Sequence, residues 1–219
     1  MGCGPVVCGV VADAPRLRLG HTDAMDLTMT LLVGVPGQVA VFALVPLAYW
    51  LNASRPDGSF LRWLGFRRVK HGADPLVLGA TVLAGLGFLG SALLDRSSAT
   101  MAGEGYFLWL AVLLVAVVQT ALSEEIFFRG FMLAWLSGKR GGPLLANLTQ
   151  ALLCGLVRST AHWLFVDRDV AACLAAFALG VGPALMVGWV RQRTGSLLLP
   201  WAAHGAGNLI AGVVATLTR

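Results

Sequence analysis

Residues 106–136, YFLWLAVLLVAVVQTALSEEIFFRGFMLAWL, decide how this chain is read. The stretch is almost wholly apolar until Ser123-Glu124-Glu125-Ile126-Phe127-Phe128-Arg129-Gly130 interrupts it. As one helix it would extend about 46 Å at 1.5 Å per residue, beyond a hydrocarbon core of about 30 Å. The sequence therefore predicts a helix that is strongly tilted or broken, with its two carboxylates well below the bilayer surface. An ionisable group inside a span costs about 2.5 kcal/mol or more unless it is paired, which makes such groups candidates for function. On a helix Glu125 and Arg129 stand one turn apart in the favourable acid-before-base order and pair. Glu124 projects about 100° away and is left without that partner. Two carboxylates in unlike surroundings divide the labour, one ionised and structural, the other exchanging a proton. The plainer alternative is a helix end at the interface carrying a surface ion pair.

The rest of the chain agrees with a membrane reading. Hydrophobic residues make up 57% and charged residues 12%, and mean hydropathy is +0.77, against about 25% charged residues in an ordinary soluble domain. Apolar runs at 29–51, 75–94, 105–123 with its continuation to 136, 143–166, 170–190 and 196–217 fit about six crossings at about 20 residues each. A soluble helical core would confine its apolar residues to one face of each helix, and these runs are apolar all round. The expected fold is all-α: a polytopic transmembrane helix bundle with about six spans and an inward-facing polar catalytic centre. Residues 29–219 are expected to form one integral membrane domain with a motif core at 110–211, preceded by a segment of uncertain status at 1–28.

The net charge of +5 is unevenly spread. Arg55, Arg62, Arg67, Arg68 and Lys70 follow the first run, and Lys139 with Arg140 and Arg191 with Arg193 fall in alternate later loops. The positive-inside rule makes these loops cytoplasmic. The opposite side holds Arg16, Arg18, Arg96, Arg168 and Arg219, so both termini face outward. Within the first loop, Phe60, Leu61, Trp63, Leu64 and Phe66 alternate with basic residues, as in a short amphipathic segment lying along the interface. The basic balance reports topology and contact with anionic lipid, and no basic stripe interleaved with aromatics points to nucleic acid. Cys3, Cys8, Cys154 and Cys173 form no close C-x-x-C pair for zinc or redox chemistry. Residues 1–24 lack a basic-then-apolar leader pattern, and Met25 or Met29 is an alternative start.

Two further polar lines run through apolar segments. Gln150, Cys154, Arg158 and His162 recur every four residues and share one helix face. His204 and Asn208 do so in the last run, after the turn-like Thr194-Gly195-Ser196. Three helices thus present polar patches inward. Ala176, Gly180, Ala184 and Gly188 put small residues on one face of the fifth run, a packing stripe for close helix approach.

These motifs together resemble the CAAX protease and bacteriocin-processing family, also called CPBP or Abi, of glutamic-type intramembrane endopeptidases. Its Glu-Glu-x-x-x-Arg motif is matched by Glu124, Glu125 and Arg129 with the flanking Phe128 and Gly130. Its last motif is matched by His204 and Asn208, following Thr194-Gly195-Ser196-Leu197-Leu198-Leu199-Pro200. The middle motif departs: where the family usually has Phe four residues before its histidine, this chain has Arg158 before His162. The resemblance implies a peptide-bond hydrolase without a covalent acyl intermediate, in which Glu124 and His162 orient and deprotonate a water. It implies that His204 and Asn208 donate to the oxyanion while Glu125 and Arg129 hold their helix in register. The implied partners are the lipid bilayer and a peptide or membrane-anchored protein, in a prokaryotic inner membrane, with no cofactor. Relatives trim the end beyond a prenylated cysteine, bacteriocin precursors or C-terminal sorting tails. The sequence does not choose among these, nor does it reveal an oligomeric state.

Arg158 is open to three readings: neutralising Glu124, neutralising Glu125, or binding a substrate carboxylate, to which a guanidinium is well matched. Two other functions compete with the metal-free peptidase. Glu124, His162 and His204 form a three-ligand zinc set in principle, although no H-E-x-x-H is present. A non-catalytic scaffold, immunity factor or chaperone would use the polar centre to bind peptides.

Overall fold

The computed structural model describes residues 28–53, 58–95, 105–138, 141–166 and 168–218. Cys3, Cys8, Arg16, Arg18, Met25, Arg55, Arg96, Lys139, Arg140 and Arg219 lie outside the described residues, and with them the expectations placed on 1–24. The described residues form helices α1 (Thr30–Asn52), α2 (Phe60–Leu64), α3 (Pro75–Asp95) and α4 (Tyr106–Ser137). They continue with α5 (Gly142–Phe165), α6 (Val170–Thr194) and α7 (Leu198–Leu217). No strand occurs among the described residues. Helix α3 lies against both α6 and α7, α5 runs along α6, and α4 packs on α1 and α7.

Five helices, α1, α3, α4, α6 and α7, are long and apolar enough to cross a membrane. The sixth expected span became α5, which at 24 residues is long enough but falls outside that apolar class. The reason is its polar line: Asn147, Gln150 and His162 are buried, and the Arg158 side chain is only 10% exposed. Its opposite face carries Leu145, Leu148, Leu152 and Leu156, all exposed. Such a helix is amphipathic in the sense suited to lipid, with polar groups turned into the bundle.

The length problem of α4 has a different solution from tilt or breakage alone. Helical winding persists throughout, but two segments, Leu114–Leu122 and Glu125–Met132, are π-helical. Bonding from i to i+5 widens the turn and takes up extra residues without ending the helix. The Trp201 indole on α7 donates to the Val117 carbonyl in the first widened segment at 2.8 Å. Helix α7 is thus keyed to α4 just where its backbone departs from α geometry.

The small-residue stripe of α6 faces α5. A Cβ added at Gly180 would lie 2.7 Å from the Gly155 Cα, so the two backbones touch. Beside this contact the Gln150 amide donates to the Ala184 carbonyl at 3.0 Å, and Asn147 donates to that of Leu185 at 3.0 Å. Close approach and amide-to-carbonyl bonds work together, as expected where lipid offers no hydrophobic push between helices.

The basic loop ends gather at one end of the bundle. Ser59 caps α2, Gly65 ends it at φ 106°, and the chain then clasps the α6–α7 turn. Leu197 N–H donates to the Gly65 carbonyl at 2.8 Å, Arg67 Nε to Gly195 O at 2.5 Å, and Arg191 Nη2 to Leu64 O at 3.2 Å. Leu64 is wholly buried against Ile126 and Leu197, while Leu61 stays exposed. The expected amphipathic segment is thus also docked: one turn of helix is tied to the bundle through its carbonyls while Leu61 faces outward.

The Gly155–Gly180 contact predicts that Gly180→Ala lowers stability by about 1–3 kcal/mol through overpacking, although alanine is the better helix former. Gly182→Ala, two residues on with nothing within 4 Å of the added carbon, should be neutral or stabilising. Thermal unfolding of both variants in detergent checks the contrast.

Candidate active site

The second π segment of α4 carries Glu125 and Arg129 with both side chains wholly buried and Arg129 Nη1 3.0 Å from Glu125 Oε1. The same oxygen lies 3.0 Å from His204 Nδ1 on α7. Glu124, 16% exposed, is held by Arg158 of α5, whose Nη2 stands 3.0 Å from Oε2 and 3.3 Å from Oε1. That Nη2 is also 3.1 Å from His204 Nε2, and Glu124 Oε2 is 3.8 Å from the same ring nitrogen. Two carboxylates, two guanidinium groups and one imidazole thus form a continuous network in which the four formal charges cancel.

Glu124 was expected to project away from Glu125 and to lack Arg129 as a partner, and the two carboxylates do meet different groups. Glu125 takes Arg129 and His204 Nδ1, whereas Glu124 takes Arg158 and lies on the Nε2 side of the same ring. The partner of Glu124 is Arg158, the residue that departs from the family pattern.

Hydrogen-bond chemistry fixes the state of the imidazole. A guanidinium carries donors only, so His204 Nε2 accepts from Arg158, and Nδ1 keeps its proton and donates it to Glu125. A ring oriented through Nδ1 by a carboxylate, with its Nε2 lone pair turned toward other polar groups, is a recurrent arrangement for proton transfer. The Phe88 ring of α3 stacks on His204 at 3.8 Å between centroids and 10° between planes. The guanidinium carbons of Arg158 and Arg129 lie 5.9 and 6.0 Å from the Phe88 centroid, within cation–π range.

His162, 3% exposed, sits one helical turn beyond Arg158 on α5, and Asn208, 8% exposed, one turn beyond His204 on α7. Of the residues singled out from sequence, Glu124, Glu125, Arg129, Arg158 and His204 meet directly in the network. Sequence reasoning missed two that α3 contributes. Phe88 gives no signal in an apolar run, and Ser91, whose Oγ accepts from Arg158 Nη1 at 3.1 Å, is a single serine of a kind common in such helices. Cys154 and Cys173 are buried thiols not joined in a disulfide, Cys154 against Phe128 and Ala184. Among the described residues no three His, Cys, Asp or Glu side chains are gathered to hold a metal ion.

The fold and this enclosed charge network define an integral multi-pass membrane protein built around a buried acid–histidine centre. Residues 106–210 match the family model described as type II CAAX prenyl endopeptidase Rce1-like, in line with the family that the motifs resemble. That match supports an intramembrane protease activity. No curated relative and no solved structure matches the chain. The match takes in α4 to α6 and most of α7, and it leaves out α1, α2 and α3.

Removing one partner of a fully buried ion pair leaves an uncompensated charge and costs about 3–5 kcal/mol. Arg129→Leu is therefore expected to lose most of its folded population in thermal unfolding measured in detergent. The double variant Glu125→Gln/Arg129→Leu should recover a large part of that loss, because the orphaned charge is gone.

Proposed function

We propose that the protein is an intramembrane endopeptidase that hydrolyses a peptide bond with a water activated at Glu124 and without an acyl-enzyme. The observation that carries this reading is the division between two adjacent carboxylates. Glu125 is wholly buried and committed to Arg129 and His204, whereas Glu124 keeps 16% of its side chain exposed. A base must be reachable by water, and Glu124 is the member of the pair that is. His162, buried nearby on the helix that brings Arg158, is assigned the second contact to that water. His204 and Asn208 are assigned to the carbonyl oxygen, as the family resemblance implies. Donation from His204 requires a proton on Nε2, which in the resting network is an acceptor.

The substrate in this reading is a peptide or membrane-anchored protein presented from the bilayer, the membrane is a prokaryotic inner membrane, and the basic end of the bundle faces the cytoplasm. No cofactor is needed for the steps named. A second reading, peptide binding without hydrolysis, draws support from Arg158, whose Nη2 lies against both Glu124 oxygens.

Comparing peptide termini in membranes of cells carrying wild type or Glu124→Gln at equal expression tests the choice. Hydrolysis predicts a defined set of termini present with wild type and absent with the variant, and their positions name the cleavage site. Identical termini under several growth conditions would favour the binding reading.

A further inference from the structure

We propose that Arg158 is a further donor, beside the residues already assigned to the scissile carbonyl oxygen, that holds this oxygen as it becomes an oxyanion, and that Ser91 is the positioning residue for its guanidinium. This rests on the hydrolytic reading above and adds to it an electrostatic residue that the family pattern, with Phe at this place, does not contain.

The argument starts from His204. Its Nε2 faces a donor-only group at 3.1 Å, so in this state the imidazole offers a lone pair toward the site and no proton. The developing oxyanion needs a donor that is already there, because groups fixed before reaction cost no reorganisation during it. Arg158 meets that need: its charge is permanent and its side chain is only 10% exposed. Nη2 stands 3.0 Å from Glu124 Oε2 and 3.3 Å from Oε1. A carbonyl carbon attacked by a water held on Glu124 would bring its oxygen within reach of that nitrogen. The longer contact, to Oε1, is the one an arriving oxygen displaces at least cost.

The guanidinium is aimed from its other end. Nη1 donates to Ser91 Oγ at 3.1 Å, Ser91 is 1% exposed, and the Phe88 ring lies 5.9 Å from the guanidinium carbon. These two α3 groups hold one nitrogen back and turn Nη2 toward Glu124 and His204. In the step itself the water oxygen adds to the carbonyl carbon, and one water proton passes to the Glu124 carboxylate. The carbonyl π pair settles on the oxygen facing Nη2. Collapse then breaks the C–N bond, and the proton on Glu124 passes to the leaving nitrogen, giving an acid and an amine.

The test uses the full chain in liposomes and a synthetic peptide spanning the cleavage site found by comparing wild type with Glu124→Gln. Arg158→Phe places the family's usual residue and should accumulate normally. Its kcat is expected to fall by about 10²–10³-fold with KM within about twofold, the signature of an interaction made in the transition state. Most of the deficit should persist at high pH, where Glu124 is ionised with or without its neighbouring cation, and Arg158→Lys should restore part of it. Ser91→Ala should lose about tenfold in kcat, on the order of 1.4 kcal/mol, and Ser91→Thr should regain it. An unchanged kcat in Arg158→Phe overturns the proposal, as does a loss confined to KM, which would make Arg158 a ground-state substrate contact. A deficit that vanishes on raising the pH also overturns it, because Arg158 would then only balance the charge of Glu124. If Glu124→Gln leaves every terminus in place, the hydrolytic reading itself fails and this proposal falls with it, a result distinct from the other three.

Discussion

A carboxylate with no exposed surface, Glu125, sets the terms for the rest of the bundle. Even after relaxation, removing such a charge from water costs several kcal/mol, and only close partners can return it. Arg129 supplies the counter-charge from its own helix and His204 supplies an N–H from α7. Both must arrive at one oxygen, which fixes the rotation of α4 and the depth of α7 relative to each other. The Trp201 bond to Val117 sets the same register nearer the start of α7. Two polar ties on successive turns leave little freedom for the pair to slide. Once His204 is pinned at Nδ1, its other nitrogen points at Arg158 and Glu124, so the geometry of the open part of the site follows from the closed part.

Helix α5 solves the opposite problem, since it must carry Arg158 and His162 through apolar surroundings. It does so by turning its leucines outward and its polar line toward α4 and α6. The inward residues differ in what they do. Asn147 and Gln150 are spent on backbone carbonyls of α6, and Arg158 bridges to α4, α7 and α3. Glycine at 155 and 180 lets the backbones of α5 and α6 touch, which brings the Arg158 stem close enough for its guanidinium to span that distance.

Much of this was legible in the chain before any coordinates. Apolar runs of the right length located every long helix, because lipid forces backbone groups to bond within the segment and leaves few other solutions. The four-residue spacing of Gln150, Cys154, Arg158 and His162 pointed to one inward face, since a polar line in an apolar helix has few other places to go. What was not legible depends on backbone departures and on distant partners. The π winding of α4 leaves no mark in composition, and the placing of Glu124 and Glu125 at opposite nitrogens of His204 depends on a distant helix. The choice of Arg158 for Glu124 depends on how α5 crosses α4, which spacing along either helix does not reveal. The docking of α2 on the α6–α7 turn was not legible either, because an alternation of aromatic and basic residues does not say which carbonyls will find partners. Phe88 and Ser91 were invisible because a phenylalanine or serine in a span is ordinary until its neighbour is known.

The wall formed by Phe88 and Ser91 has a consequence for where this protein can be divided. Both residues sit on α3, outside the 106–210 stretch that family resemblance picks out. The boundary visible to sequence comparison and the boundary of the working centre are therefore not the same line. A chain trimmed to the recognisable portion would retain both carboxylates and the histidine, yet one face of that imidazole would meet acyl chains and Arg158 would lose its serine anchor. A substitution in α3, although it falls outside the matched stretch, would therefore reach the polar centre through the Phe88 ring and the Ser91 hydroxyl.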